Sequence, residues 1–455
     1  MDHAFGNLGF EGLLRQPRQH PRFVAAVERR PGSTRCIEIS RRVAADRGRA
    51  KTVFKAARFP PSRERALDSG VPKPQPDYQL LGLISAPGCL ASTSSCALSR
   101  FDQWTFILMS KMIVRTTAAR KSREVTVSAL GAIPVMDVRD GGPLQAARLA
   151  DDRMHCLFRH ARRTFPSPAL AFMDGVSRRW LDRSNNPYRG EIDEIAALLG
   201  KPGAYALNTS YEWACTSGVG TDAEGGVRLM RVLDWRLAGL GRNLIAAWQR
   251  GPAGEFINLT WPGYVGVITA AAPGRFAVAI NQPPMMRWGA TPPIDWLIGR
   301  AQVWRSRALP PSHLARQVCE SCTTYKDAKQ WLAEMPLCLP AFFILAGTMA
   351  GEGCVIERTA DRVAIRGMPT AAANHWVTLQ ERGRARGGRS RERVARMEMS
   401  IANGTESWRT APVLNRSTRL ASTMNPSTGK VCVQGWERHG PATAELALNL
   451  GSSAK

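Results

Sequence analysis

The sequence lacks any uninterrupted run of about 18 apolar residues, the length that a membrane-spanning helix needs. It begins Met-Asp-His-Ala-Phe-Gly, without the basic segment and following apolar stretch of a secretory signal. The first absence excludes a helical membrane-spanning protein, and the second argues against export. We therefore expect a cytoplasmic location, with at most transient contact to a membrane surface.

Histidine is scarce, with 7 residues in 455, and the 10 cysteines form no dense framework. Scattered cysteines suit a reducing compartment. Cys319 and Cys322 have C-x-x-C spacing, but neither a second pair nor histidines at zinc spacing accompany them. They lie in a stretch with helical periodicity, residues 314–332, which favours a structural helix over a metal or redox site. We expect no metal and no cofactor.

Acidic residues are too few to balance the basic ones: 62 Lys and Arg stand against 37 Asp and Glu, for a formal net charge of +25. Such a charge is one signature of nucleic-acid binding. Aromatic residues do not alternate with the basic ones, however, as stacking surfaces for bases would require. We therefore expect a basic tail without specific nucleic-acid binding, and keep a non-catalytic basic nucleic-acid-binding protein as an alternative.

Residues 1–115 lack sustained periodicity and are rich in Arg, Pro and Ser. This composition predicts a disordered basic extension. The alternative is that residues 1–111 are translated from upstream of the natural start, with Met109 or Met112 as the first residue. The sequence leaves both open.

From about residue 125 the pattern becomes globular. Helical periodicity is present at 143–163 and 191–199, and again at 294–305 and 312–334. Short alternating or apolar runs at 228–235, 244–249, 256–261, 265–271, 275–281, 341–346, 354–357 and 362–365 predict strands. Strands followed by helices and again by strands indicate a layered α+β fold rather than a regular βαβ alternation.

The chemistry centres on Cys215, which opens a Cys-Thr-Ser run, with Arg231 and Asp234 following in Arg-Val-Leu-Asp-Trp. Two such segments can form a hairpin whose second strand returns a cation and a carboxylate to the cysteine. Taken alone, Cys215 is explained better as a small buried apolar residue than as a nucleophile, and an ordinary Arg–Asp pair at a strand end is the alternative for Arg231 and Asp234.

The wider context resembles the acid ceramidase and N-acylethanolamine acid amidase family, within the choloylglycine-hydrolase group of N-terminal-nucleophile enzymes. In that family the nucleophilic cysteine opens a Cys-Thr-Ser run, and Arg and Asp follow at the spacing of Arg231 and Asp234. Further segments agree in order over roughly residues 190–440: Trp261-Pro-Gly-Tyr264, Ala279-Ile-Asn281, Pro340-Ala-Phe-Phe343, Gly351-Glu-Gly-Cys354, Asn374-His-Trp376, Ser390-Arg-Glu-Arg393 and Pro412-Val-Leu-Asn415.

The resemblance implies a four-layer αββα sandwich and a proenzyme that cuts itself between Ala214 and Cys215. Residues 120–214 would form the small fragment and 215–455 the catalytic fragment, and the two would stay associated. The new Cys215 α-amine, with a reference pKa of about 7.7–8.0, would act as general base for its own thiol.

The resemblance also assigns roles to the other site residues. Asp234 would hold the α-amine and Arg231 would favour the thiolate. Asn374 and Asn281 would donate hydrogen bonds to the tetrahedral oxyanion. Arg393 would orient Asn374 or the amine.

The sequence departs from the family pattern at three places. Gln282 follows Asn281 where lysosomal members carry glutamate, and Ala373 replaces a threonine before Asn374. A basic insertion at 382–389 lengthens the spacing to the later arginine, which leaves Arg391 as an alternative to Arg393.

The implied function is hydrolysis of the linear amide bond of a small N-acylated amine, of the N-acylethanolamine, ceramide or bile-salt-like kind. Acyl transfer to an amine on the same fold, a member that no longer matures, and a papain-like pairing of Cys215 with His375 remain alternatives. The sequence fixes neither the acyl and amine groups nor the oligomeric state.

Overall fold

The computed structural model describes residues 130–211, 213–222 and 224–452. The predicted extension at 1–115 lies outside the described residues. Within the described ranges, no helix is both long and apolar enough to cross a membrane.

Five helices follow the first short strand, β1 (Val135–Asp137). They are α1 (Gly142–Leu149), α2 (Asp151–Thr164), α3 (Ser167–Arg183), α4 (Arg189–Leu199) and α5 (Ala204–Asn208). In α4 the buried residues Ile192, Ile195 and Leu199 recur at helical spacing, and Gly200 ends the helix with φ 61°. The single helix predicted at 143–163 is divided at Ala150, whose φ of −122° leaves the helical region. Neither Gly nor Pro marks this break.

The rest of the chain alternates between strands and helices. The strands are β2 (Ala214–Thr221), β3 (Val227–Asp234), β4 (Ile245–Gly251), β5 (Gly254–Thr260), β6 (Thr269–Ala272), β7 (Phe276–Asn281), β8 (Met285–Met286), β9 (Ala341–Ala346), β10 (Gly353–Arg358), β11 (Val363–Gly367), β12 (Thr370–Ala372), β13 (Gly383–Arg384), β14 (Thr418–Asn425), β15 (Lys430–Glu437), β16 (Gly440–Pro441) and β17 (Leu446–Asn449). The helices are α6 (Pro292–Arg305), α7 (Pro311–Ser321), α8 (Tyr325–Glu334) and α9 (Ser390–Ala402).

These strands form two large sheets and a ribbon. The first sheet has the order β1-β4-β5-β6-β7-β9-β10-β11, in which β1 is parallel to β4 and the other neighbours are antiparallel. The second has the order β12-β2-β3-β14-β15-β16, with β17 also paired to β15. The ribbon pairs β8 with β13.

Three apolar clusters define four layers. The facing sides of the sheets share one cluster, in which Leu229 and Leu233 lie with Ala279 and Phe342. On the outer side of the first sheet, α7 and α8 cover residues such as Phe343. On the outer side of the second sheet, α9 covers β2 and β3. The predicted αββα sandwich is therefore confirmed.

Two further predictions differ from the structure, because one predicted helix is divided in two and one predicted strand begins later. The helix predicted at 312–334 is two helices, because α7 ends at Ser321 and Thr324 caps α8 by accepting a hydrogen bond from the Asp327 N–H at 3.1 Å. The strand predicted at 265–271 begins only at Thr269, because the Val265 N–H donates instead to Asn208 Oδ1 at 2.8 Å.

Cys319 and Cys322 are free thiols at the end of α7, consistent with the predicted structural role. Helix α3 and strands β14 and β15 had no counterpart among the predicted elements.

Candidate active site

The hairpin of β2 and β3 places the predicted nucleophile. Its register pairs Ala214 with Asp234, Cys215 with Leu233 and Ser217 with Arg231. Side chains alternate across a strand and residues directly opposite share a face. Cys215 and Arg231 therefore point between the two sheets, whereas Asp234 points toward α9. The predicted hairpin brings all three residues together, with the carboxylate on the opposite face from the thiol.

The Cys215 thiol is fully buried, with Sγ 3.7 Å from the Ile280 carbonyl oxygen. Burial raises the pKa of Cys215 to about 11, and the neighbouring Arg231 guanidinium opposes this rise without cancelling it. In the uncut chain the thiol is therefore protonated at neutral pH.

Arg231 is held by a small polar cluster inside the sandwich. Its Nη1 donates to Ser217 Oγ at 3.1 Å and to Asn281 Oδ1. Ser217 Oγ donates to the same Asn281 oxygen at 2.8 Å, and Asn281 Nδ2 donates to the Ala372 carbonyl at 2.9 Å. Asn281 thus ties β7 of the first sheet to β2 and β12 of the second. One of its two amide hydrogens is used in the uncut chain, so its predicted donation to an oxyanion needs the other.

Arg393 reaches the site from α9 and is buried. Its Nη1 donates to the Cys215 carbonyl at 2.6 Å and to Thr216 Oγ1 at 2.8 Å. Its Nη2 donates to Asn374 Oδ1 at 2.8 Å. Arg391, by contrast, is exposed. Of the two arginines that the sequence left open, the geometry therefore favours Arg393.

Asn374 follows β12 and lies against the backbone of the nucleophile. Its Oδ1 accepts from the Cys215 N–H at 3.0 Å as well as from Arg393, and its Nδ2 donates to the Gln282 carbonyl at 2.7 Å. Two donors converging on one oxygen fix which end of the amide faces Cys215. In the uncut chain Asn374 is thus an acceptor toward Cys215. Its predicted donation to an oxyanion would need the second amide hydrogen.

Asp234 is surrounded by donors on the α9 side of β3. It accepts from Asn415 Nδ2 at 2.9 Å and from Thr418 Oγ1 at 2.8 Å, and lies 3.5 Å from Arg393 Nη1. Burial raises the pKa of its carboxyl above the ordinary value, whereas Arg393 and the two hydrogen bonds act to lower it. Asp234 lies opposite Ala214, so its predicted partner, the Cys215 α-amine, would form beside it only on cleavage.

His375 is turned away from the nucleophile. Its Nδ1 lies 2.8 Å from Ser390 Oγ, and burial followed by the charge of Arg391 lowers the pKa of the imidazole. The papain-like pairing of His375 with Cys215 is not formed.

A pocket of about 110 Å³ opens beside the site. Its wall is mainly apolar and includes Met285, Met286, Trp288, Trp296 and Leu339. Gln282 also lines it, and the Gln282 carbonyl accepts from Asn374 Nδ2 at 2.7 Å. Three other tryptophans of the region do not line this pocket. Trp235 and Trp261 pack edge to face in the core and border a smaller cavity, and Trp376 packs edge to face on Phe342.

Sequence reasoning gave no role to four residues that hold the site: Ser217, Thr216, Asn415 and Thr418. Thr216 and Ser217 belong to the Cys-Thr-Ser run, and Asn415 belongs to the family motif near the C-terminus. The sequence therefore contained a signal for these three residues but not for Thr418. Across the described residues, no three His, Cys, Asp or Glu side chains lie close enough to hold a metal ion.

A four-layer αββα core with a buried cysteine at the start of an inner strand defines the class of the protein: an N-terminal-nucleophile hydrolase fold. A family profile described as acyl-coenzyme A:6-aminopenicillanic acid acyl-transferase matches residues 299–430, a range that contains Asn374 and Arg393 but not Cys215.

Individual relatives match more of the chain. The acid ceramidase of Heterocephalus glaber is 31% identical over 199 residues, which cover 39% of this chain and 49% of that protein. The acid ceramidase of Homo sapiens is 31% identical over 193 residues, covering 38% and 47%. The chain thus spans about half the length of the curated relatives it matches. A solved Caenorhabditis elegans N-acylethanolamine-hydrolyzing acid amidase ortholog matches with a TM-score of 0.38 at 22% identity, over 47% of this chain and 93% of that chain.

The chain is therefore related to the acid ceramidases, and the family resemblance drawn from its motifs is confirmed.

Proposed function

We propose that the protein is a self-processing cysteine amidohydrolase, which cuts itself before Cys215 and then hydrolyses the amide bond of an N-acylated amine. The observation that carries the proposal is the environment of Cys215. Its thiol lies beside Arg231, its N–H is bound by Asn374, and its carbonyl is bound by Arg393. Three polar side chains from three different parts of the fold thus converge on Cys215, in a chain that is related to the acid ceramidases.

Self-cleavage would proceed by an N-to-S acyl shift. Cys215 Sγ attacks the Ala214 carbonyl carbon, a C–S bond forms, and the C–N bond to Cys215 breaks. The thiol proton passes to the leaving nitrogen, which becomes the Cys215 α-amine. Water then adds to the thioester carbon, releasing a carboxylic acid at Ala214 and returning a proton to sulfur.

The same thiol would then attack the substrate. An amine with a pKa near neutrality is a suitable base for the thiol that adjoins it. The protonated amine would give its proton to the departing amine of the substrate, and water would hydrolyse the acyl-enzyme. Asp234 lies opposite Ala214 in the hairpin, and in this proposal it would accept a hydrogen bond from the new amine.

The pocket and the relatives support a proposal for the substrate class. The wall formed by Met285, Met286, Trp288 and Trp296 favours an apolar acyl chain. The relatives named acid ceramidase point to ceramide-like N-acyl amides. We therefore propose a linear N-acyl amine as substrate and leave its amine portion to the assay.

Acyl transfer is the second candidate, because the matching profile is described as an acyl-transferase of 6-aminopenicillanic acid. Both reactions share the acyl-enzyme and differ only in whether water or an amine attacks it.

We further propose that fragments 120–214 and 215–455 stay together after cleavage. Strand β1 belongs to the first fragment but pairs with β4 of the second. Arg316 of the second fragment is ion-paired with Glu191 of the first, and Tyr188 donates to Glu320 at 2.7 Å. We also propose a cytoplasmic location, because the cysteines of the described residues are free thiols, as is usual in a reducing compartment.

Intact mass measurement tests the self-cleavage. The wild type should yield a fragment that begins at Cys215, and Cys215→Ala should remain whole. An uncut wild-type chain across acid to neutral pH would refute self-processing, and an active Cys215→Ala protein would refute the nucleophile.

A substrate test separates the two reactions. Cut protein is incubated with N-acyl amines of increasing chain length, with and without added acceptor amine. Release of free fatty acid that the added amine does not divert would support hydrolysis, whereas formation of a new amide would support transfer.

A further inference from the structure

The basic insertion at residues 382–389, which lengthens the spacing between Asn374 and Arg393, is anchored beside the pocket. We call it the clasp. Gly383 and Arg384 pair with Met286 and Met285 in the β8–β13 ribbon. The Arg384 guanidinium forms an ion pair with Asp295, a fully buried carboxylate that also accepts the N–H groups of Trp288 at 2.6 Å and Gly289 at 2.5 Å. This end of the clasp is therefore fixed to the start of α6.

The other end of the clasp, at Gly387, lies against Ala214, the residue before the bond predicted to be cut. Gly387 has φ 64°, and a Cβ placed there would be 2.8 Å from the Ala214 Cβ and 3.0 Å from Arg393 Nη2. A separation of 2.8 Å is shorter than van der Waals contact, so the close approach to Ala214 needs glycine for its conformation and for its lack of a side chain. The neighbouring Gly388 carbonyl accepts from Arg393 Nε at 3.0 Å.

Arg386 holds the chain just upstream of that bond. Its Nη1 donates to the Tyr211 carbonyl at 3.2 Å and its Nε to the Pro283 carbonyl at 3.2 Å. Arg393 meanwhile holds the Cys215 carbonyl downstream of it. The backbone thus accepts hydrogen bonds from the Arg386 guanidinium before Ala214 and from the Arg393 guanidinium after it. Gly387 lies between these two arginines in the sequence.

We propose that the clasp positions the Ala214–Cys215 bond for self-cleavage, with Arg386 and Gly387 as positioning residues. The inference rests on the proposed self-processing and names what controls it. Attack by a thiol requires its sulfur and the carbonyl carbon to be held in line, and a displacement of about 1 Å costs roughly 100-fold in rate. The clasp supplies that restraint on the upstream side of Ala214, through Arg386 and the Tyr211 carbonyl.

The test follows the appearance of the fragment beginning at Cys215 by intact mass in freshly translated full-length chain. Arg386→Gln should slow cleavage by about tenfold or more, and Arg386→Lys should recover part of the rate because the charge is kept. Arg382→Gln, in the same insertion and exposed, removes the same charge and should cleave within about twofold of the wild type.

A compensating pair distinguishes positioning from a general loss of structure. Gly387→Ala should slow cleavage by about tenfold or more, because the added Cβ collides with that of Ala214. In an Ala214→Gly background the same change should have a clearly smaller effect, since the colliding atom is gone. Thermal unfolding in the Cys215→Ala background reports whether each variant is folded.

Wild-type rates for both Arg386→Gln and Gly387→Ala would overturn the role of the clasp while leaving self-processing intact. An equal effect of Gly387→Ala with Ala214 or Gly at 214 would also overturn it. A wild type that is never cut removes the proposed function itself.

Discussion

Arg393 should be the most costly single side chain of the site to remove. Its guanidinium makes four hydrogen bonds at 2.6–3.0 Å and lies 3.5 Å from the buried Asp234 carboxylate. Arg393→Met deletes these contacts and leaves the carboxylate without its cation. Removing one member of a buried pair typically costs about 3–5 kcal/mol in the free energy of unfolding. The exposed Arg391→Met should stay within about 0.5 kcal/mol.

The penalty should also depend on pH. Burial already raises the pKa of the Asp234 carboxyl above its ordinary value of 3.8, and Arg393 opposes that rise. Loss of Arg393 therefore raises the pKa further. A carboxyl whose pKa is higher in the folded state loses stability as pH rises from its unfolded pKa through its folded pKa. The Arg393→Met penalty should hence be larger at pH 8 than at pH 4.5, growing by at most about 1.4 kcal/mol per pH unit.

Urea unfolding followed by tryptophan fluorescence measures both effects. All variants are made in the Cys215→Ala background, so that a single uncut chain is compared. Adding Asp234→Asn to Arg393→Met removes the unpaired charge and should recover about 1 kcal/mol or more at pH 8. A penalty under about 1 kcal/mol, or one that is the same at both pH values with no recovery in the double variant, would refute the reasoning.

Two further predictions concern the fragments and the thiol. Arg316→Met leaves Glu191 without its buried cation, so the association of the cut fragments in urea should weaken by about 3–5 kcal/mol. The control Arg148→Met breaks an exposed pair with Glu194 and should change the association by less than about 0.5 kcal/mol. Equal effects of the two variants would refute the assignment. In uncut molecules the pKa of Cys215 is raised to about 11. The rate of alkylation of this thiol should therefore be slow between pH 7 and 9 and rise about tenfold per pH unit, whereas in cut molecules the rate should be faster and level off with pH. The same rate in both forms would contradict this prediction.

The sequence predicted best those features that depend on local pattern and spacing. The spacing of Arg231 and Asp234 from Cys215 predicted a hairpin, and β2 and β3 form it. Strand β9 begins and ends at the predicted residues because its buried run is bounded by Pro340 and Gly347. Layer order followed from the family resemblance rather than from periodicity, which cannot say that β12 pairs with β2 and β14 with β3.

The missed features depend on contacts between distant segments. Cys215 and Asn374 meet because Ala372 pairs with Ser217 across β12 and β2, a register that no local pattern contains. The basic insertion was visible as a lengthened spacing, but nothing in its composition indicated that Gly387 would lie against Ala214. Its arginines look like solvent-exposed charge in the sequence, and only the fold reveals that two of them bind Asp295 and the Tyr211 carbonyl.

On the proposed mechanism, the uncut site contains the nucleophile but lacks the α-amine that would activate it. The thiol is buried, its pKa is raised to about 11, and its sulfur lies 3.7 Å from the Ile280 carbonyl oxygen. The single N–H of Cys215 is bound by Asn374, so an additional N–H formed on cleavage would need another acceptor. Asp234, opposite Ala214, is the nearest carboxylate in the hairpin, and its contact with Arg393 is its longest, at 3.5 Å. On the proposed chemistry, cleavage would therefore create the general base and a partner for Asp234 in one event. An inactive precursor then needs no separate inhibitor, because the base for hydrolysis does not exist until the chain is cut.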